Sequence, residues 1–413
     1  MKTATPEKMG MDSGRLGRIS GWMESYVSAR KHPGNSILIA RGGHEVFHHA
    51  TGLRDVAGAK PFVRDTIVRI FSMTKPVTSV AIMMLLERGL VHLDAPVSQF
   101  IPAFKDMRAL VPGATDINQT EPSSVPTLHH LLTHTSGLSY PFNPGLVGEE
   151  MQKWQIDFSS DIGPLATVTN RIASLPLCFQ PGARWEYSVS TDVLGRVVEV
   201  VSGKSLAQFF ADEILGPLGM NDTSFKVPDA DIDRFAALYS SLDGDAMALN
   251  TRPSEIPALY LVDSPQTSPF RRTTTYSGGG GLVGTIDDYM RFVEMVRLNG
   301  ILGDVRLLSP KTVEFMCRNH LPGDIASMGP TSFAELPMTG MGFGLGGSVV
   351  LDPARSRVPG SIGDFSWGGM ASTYFWIDRK HDLSVVFFTQ LAPSSSYPAR
   401  PQLKALVHGA LMS

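Results

Sequence analysis

Arg69-Ile-Phe-Ser-Met-Thr-Lys-Pro-Val77 puts a serine three residues before a lysine, where a β-rich run meets a long apolar one. Thr66 to Phe71 is dominated by β-branched and aromatic residues, and Val77 to Leu86 carries no charge until Glu87-Arg88-Gly89 closes it. The pattern predicts a strand that turns into a buried helix, with Ser72 at the cap. Residues i and i+3 share a helical face, so Lys75 can lie against the Ser72 hydroxyl. The first amides of a helix lack internal partners and favour negative charge. A lysine desolvated at that end loses proton affinity and can serve as a base, which a serine nucleophile requires. Pro76 has no N–H and disfavours helical geometry at Lys75, so the first turn is expected to be tight or irregular.

Spacing alone does not decide this. A second Ser-x-x-Lys, Ser28 to Lys31, ends a one-sided helical pattern of Leu16, Ile19, Trp22, Met23, Tyr26 and Val27 and is followed by His32-Pro33-Gly34. That copy reads as the solvated end of a surface helix.

At 413 residues, with 43% hydrophobic and 18% charged residues, the chain is long enough for two domains with large cores. A formal net charge of −3 offers no basic stripe for nucleic acid or an anionic membrane. Cys178 and Cys317 lie far apart and form no metal-type pair, a count that suits a cytoplasmic protein. The first residues show no apolar segment of the secretory kind, and the run near 77–86 is about half of the ~20 residues a membrane span needs. No signal peptide and no membrane insertion are expected.

Asn35 to Ala50 reads as two strands around Arg41-Gly42-Gly43, and Thr373–Ile377 with Leu383–Gln390 as a second hairpin. Gly342 to Leu351 reads as one further strand. Between these regions the pattern is helical: 127–134, 191–201, 206–215 and 285–298. The expected fold is therefore α+β, an antiparallel sheet built from both termini and flanked by helices, with an inserted mainly helical domain. The boundaries fall at 1–76 with 276–413 for the sheet domain and 77–275 for the helical one, with the site between them. Long loops at 121–126 and 251–276, and Gly/Pro-rich stretches at 321–340 and 354–363, are of the kind that line sites.

Two other places could carry chemistry. Trp185-Glu186-Tyr187-Ser188-Val189 offers either a core tyrosine or a phenol that exchanges protons near Ser72. Ser366-Trp367-Gly368-Gly369-Met370 offers either a sheet bulge or a strand edge open to an acyl group, with an amide aimed at an oxyanion. His130 and His134 share a helical face without a His-Glu-x-x-His pattern or a third ligand, and read as structural. His48 and His49 point to opposite faces of a strand. Gly278–Gly281 lacks the Gly-Lys-Ser/Thr of a phosphate loop, and no Gly-x-Ser-x-Gly nucleophile elbow occurs.

The order Ser-x-x-Lys, Tyr-Ser, Trp-Gly-Gly resembles the family VIII carboxylesterases, which share the fold of class C β-lactamases and D-Ala-D-Ala carboxypeptidases. Arg69–Lys75, Leu86–Leu90, Leu131–Gly137, Phe179–Gly182 and Tyr276–Gly281 look like blocks of the same family, so the resemblance spans almost the whole chain. It implies Ser72 as the acylated nucleophile, Lys75 as the base beside it and Tyr187 as the phenol that relays the proton. The backbone N–H groups of Ser72 and Met370 match the oxyanion donors, and Trp367, Gly368, Gly369 and Val189 match substrate-binding positions. Two departures stand out: Val189 replaces the asparagine that ends the lactamase tyrosine motif, and Trp367-Gly368-Gly369 replaces its Lys-Thr-Gly. The resemblance thus implies a serine hydrolase of short to medium acyl esters, with no metal and no organic cofactor, and a small-molecule ester as its partner. Acyl transfer to an alcohol, β-lactam or D-amino peptide hydrolysis, and a non-catalytic penicillin-binding role are the alternatives. The sequence says nothing of the oligomeric state.

Overall fold

The computed structural model describes all residues except 157–159, 244, 245, 247, 250, 335 and 413. A few positions of the 77–275 segment and of the 321–340 loop therefore lie outside the described residues.

The alternating pattern of the terminal segments becomes one sheet. Its spatial order runs Lys2–Thr3, His44–Asp55, Gly34–Arg41, Leu383–Thr389, Tyr374–Asp378, Phe365–Gly368, Ser348–Val350 and Met341–Phe343, with Lys60–Pro61 added beside His44–Asp55. All pairings are antiparallel except that of Lys2–Thr3. The two chain ends meet at the centre, where Val385 pairs Ile39 and Phe387 pairs Ile37.

Period-two alternation then gives the sheet two apolar faces. Ile37, Ile39, Trp376, Val385 and Phe387 pack with helices Ser13–Ser28 and Ala399–His408. Leu38, Ala40, Phe375, Val386 and Phe388 belong to the larger core on the other face, with helices Ile286–Arg297 and Thr74–Glu87. The latter is buried at every residue from Thr74 to Leu85. Burying each large apolar side chain there is worth roughly 1.5–3 kcal/mol, enough to hold a helix that also carries a buried lysine. Helix Ser190–Ser202, in the mainly helical segment, packs against it.

Two expectations need correction. Gly342–Leu351 is not one strand: Met341–Phe343 and Ser348–Val350 form a hairpin, because the glycine-rich turn at 344–347 reverses the chain. The helix expected at 206–215 is α-helical only over Leu206–Phe210 and continues as a π-helix over Ala211–Leu215. Among the described residues no helix is long and apolar enough to cross a membrane.

Candidate active site

The predicted strand-to-helix junction is present and its entry is irregular, but Met73 caps the α-helix and Ser72 lies in the 3-10 turn before it. Val68–Arg69 pairs with Val283–Gly284, Phe71–Met73 forms a 3-10 turn, and the α-helix runs Thr74–Glu87. Phe71 has φ 43°, left-handed geometry that costs a non-glycine residue about 1–2 kcal/mol. Its surroundings hold it there. Ile70 N–H donates to the Leu282 carbonyl (3.1 Å), Leu282 N–H donates to Thr74 Oγ1 (3.1 Å), and Tyr289 Oη donates to the Met73 carbonyl (2.8 Å). Arg69, fully buried, pairs with Asp263 at 2.5 Å and donates to the Ala236 carbonyl. The strained turn presents Ser72 on the wall of a cavity at the start of the helix.

Lys75 lies one helical turn on and is completely buried. Its Nζ is 3.1 Å from Ser72 Oγ, 2.9 Å from Tyr140 Oη and 2.7 Å from the Gly279 carbonyl. Burial pushes its pKa down to about 7, with the charge of Asp192 acting in the opposite direction. An amine of that proton affinity beside a serine hydroxyl can accept its proton near neutral pH.

The three regions separated in sequence come together here. The Tyr187 ring centroid lies 4.6 Å from Lys75 Nζ, and Trp367 Nε1 donates to Tyr187 Oη at 3.4 Å. Burial pushes the Tyr187 phenol well up, opposed by its hydrogen bonds with Ser72 and Trp367, so it stays protonated. Trp367, Gly368, Gly369 and Met370 line the same cavity as Ser72 and Tyr187. A Cβ on Gly369 would sit 2.3 Å from the Ile70 carbonyl oxygen, so only glycine lets the strand end meet the serine turn. Beyond it, the Met370 N–H has no hydrogen-bond acceptor among the described residues. A second cavity of about 710 Å³, partly lined by Trp185, Glu186 and Met328, shares Phe142, Tyr187 and Phe333 with the first.

Val189 departs from its expected place. It is 3% exposed, belongs to the apolar core at the start of helix Ser190–Ser202, and does not line the Ser72 cavity. Its backbone N–H donates to the Ser139 carbonyl, which turns the side chain's neighbourhood into a structural joint. Ser28 is the exposed last residue of its helix, as the second Ser-x-x-Lys implied. The helix expected over 127–134 runs only Leu128–Leu132, so His130 and His134 do not share its face. His130 caps it through Thr127, while His134, at φ 57°, packs on Tyr187 with ring centroids 4.8 Å apart.

Sequence reasoning missed Tyr140, Asp192 and the Gly279 carbonyl. Tyr140 follows the Leu131–Gly137 block by three residues with nothing to set it apart from a core tyrosine. Asp192 left one trace: it is an acid within Ser190–Gly195, a stretch wholly buried in the structure.

The sequence profile described as Beta-lactamase matches residues 19–409. An uncharacterised protein of Mycobacterium tuberculosis is 36% identical over 84% of this chain and 83% of its own. Esterase EstB of Burkholderia gladioli is 33% identical over 94% of this chain and 93% of its own. Among solved structures, EstCE1, described as a hydrolase with promiscuous acyltransferase activity, superposes with a TM-score of 0.79 at 28% identity, over 97% of this chain and 99% of that one. The chain therefore belongs to the Beta-lactamase family, on the family VIII esterase branch that its motifs resemble.

Proposed function

We propose that the chain is a serine carboxylesterase that cleaves short to medium acyl esters through an acyl-enzyme on Ser72. The observation that carries this is the fully buried Lys75 amine, 3.1 Å from Ser72 Oγ and, among the described residues, hydrogen-bonded to two hydroxyls and a carbonyl. Lys75 takes the serine proton as Oγ attacks the ester carbonyl carbon. The N–H groups of Ser72 and Met370 receive the developing oxyanion. Tyr187 gives its proton to the departing alcohol oxygen and regains one from Lys75, and a water then repeats the sequence on the acyl-enzyme. Similarity to EstB supports the ester substrate.

The binding surface favours esters over β-lactams. Trp367 stands where the related lactamases place a lysine, and presents a flat apolar face to an acyl chain or aryl leaving group. A lost hydrogen bond to a charged group costs about 1.5–3 kcal/mol, so the exchange selects against a substrate carboxylate. Acyl transfer to an alcohol is the second reading. It is favoured by the likeness to EstCE1 and by the large cavity beside Tyr187, which has room for an acceptor. In this reading the units 1–76 with 276–413 and 77–275 meet at Ser72, and the two free thiols, Cys178 and Cys317, suit a cytoplasmic setting.

The test is kcat/KM for p-nitrophenyl butyrate against a chromogenic cephalosporin, with and without added alcohol. Ester turnover should exceed cephalosporin turnover by orders of magnitude. Equal values would contradict the reading, and faster p-nitrophenol release with alcohol would move it to the transferase.

A further inference from the structure

Asp192 is a buried carboxylate in the first turn of helix Ser190–Ser202, and among the described residues it forms no ion pair. A buried charge without a contacting partner is costly, so its bonds say what it is for. Both donate to Oδ1: the Ser277 hydroxyl at 2.5 Å and the Gly279 N–H at 3.1 Å. Gly279 passes so close that a Cβ would lie 2.5 Å from Asp192 Oδ2 and 3.1 Å from Tyr140 Oη. Its carbonyl, thus aimed, accepts from Lys75 at 2.7 Å. Thr78 Oγ1 donates to the Gly278 carbonyl at 2.7 Å, so the same turn is also tied to the helix that bears Lys75.

The other titratable groups around Lys75 carry no negative charge near neutral pH. Burial raises the phenols of Tyr140 and Tyr187, and burial together with Lys75 lowers the imidazole of His134. Asp192 is the carboxylate that acts on Lys75, and burial raises its own proton affinity against the pull of Lys75, Ser277 and Gly279. Arg400 acts on the far side, on Tyr187.

We infer that Asp192 is a positioning residue for the reaction at Ser72: it fixes the Gly279 carbonyl on the Lys75 amine and supplies the charge that holds the proton taken from the serine. The inference rests on Ser72 and Lys75 acting as proposed above. As Ser72 Oγ bonds the acyl carbon, the carbonyl π pair moves to oxygen and the serine proton moves to Lys75 Nζ. The ammonium so formed faces Asp192 across the Gly279 turn, so charge separation stays within the site.

The test uses the rate of fluorophosphonate labelling of Ser72 as a function of pH, which does not depend on knowing the natural ester. Asp192→Asn keeps an oxygen for Ser277 and Gly279 but removes the charge. Its acid limb should move to lower pH by about one unit, as a lost neighbouring charge requires, with the plateau rate down about tenfold. Ser277→Ala keeps the charge and loosens the turn, so its plateau should fall while the limb stays in place. For p-nitrophenyl acetate, both variants should change kcat and leave KM within about twofold. Coincident acid limbs for wild type and a folded Asp192→Asn, or a loss confined to KM, would overturn the inference while leaving the esterase reading intact. Absence of labelling at Ser72 in the wild type would overturn both.

Discussion

Lys75 and Lys404 are the same residue type, equally removed from water, on opposite faces of one sheet, and they have opposite fates. Lys404, on helix Ala399–His408, pairs with the Asp364 carboxylate at 2.9 Å, their side chains 5% and 0% exposed. Burial works to lower its proton affinity, but Tyr374, Asp364 and Asp378 outweigh it and the pKa rises. Asp378 beside it is held by Ser361, His381 and His408. Lys75 touches two hydroxyls and a carbonyl, and its pKa falls to about 7. A carboxylate in contact makes a buried lysine a permanent charge that ties a helix to the sheet. Neutral acceptors in contact, with the carboxylate one residue removed, leave it able to exchange a proton.

The largest effects should come from Lys75. Lys75→Met should lower kcat by ~10²–10⁴-fold while leaving the protein folded. In the wild type, kcat/KM should fall as pH drops below about 7, where the amine protonates. Stability should rise with pH as well, at higher pH than activity does, and it is the effect of removing Lys75 that is opposite for stability and function. Between about 7 and the ordinary 10.5, the unfolded chain binds a proton at Lys75 that the folded chain does not, so wild-type stability rises with pH across that window. Lys75→Met should flatten that rise and stabilise the protein at neutral pH. Urea midpoints of the two proteins near the two ends of the window will show it.

Lys404→Met should reverse the pattern. It strands Asp364 in the core, so about 3–5 kcal/mol of stability should be lost, with kcat of the folded fraction near wild type. An inactive but fully stable Lys404→Met would break the comparison. Within the active site, Tyr187→Phe should reduce kcat by ~10²-fold or more, and Tyr140→Phe, which loosens Lys75 without removing a proton donor to the leaving group, by about tenfold. Steady-state kinetics at saturating p-nitrophenyl butyrate separates the two.

The smallest effects should be at the replaced lactamase positions. Trp367→Ala should raise KM for aryl esters severalfold through lost packing. Val189→Asn should register as roughly 1–3 kcal/mol of lost stability, because it buries an amide in apolar surroundings, with little change in ester preference.

What was legible in the sequence follows the range of the forces involved. Ser72 and Lys75 were readable because i, i+3 spacing and an uncharged run are local, and the sheet because alternation and hairpin turns are local. Tyr187 and Trp367 stood out as candidates in their own stretches, but only the family resemblance favoured a catalytic over a core role, since their meeting spans 180 residues. Tyr140 and Gly279 reach Lys75 across 65 and 204 residues, and nothing in their own neighbourhoods records the contact. Val189 misled for the opposite reason. Its position in the motif suggested a substrate contact, whereas its side chain is spent on the core. The 341–350 hairpin read as one strand because its turn is made of glycines set among strand-forming residues.

The most direct test of the central claim is mass spectrometry of protein quenched in acid during turnover of p-nitrophenyl acetate. The account predicts one acetyl group on the peptide carrying Ser72 in the wild type, with its formation slowed ~10²–10⁴-fold in Lys75→Met and unchanged in Lys404→Met. Acetyl on another residue, or equal acylation rates in Lys75→Met and wild type, would contradict it.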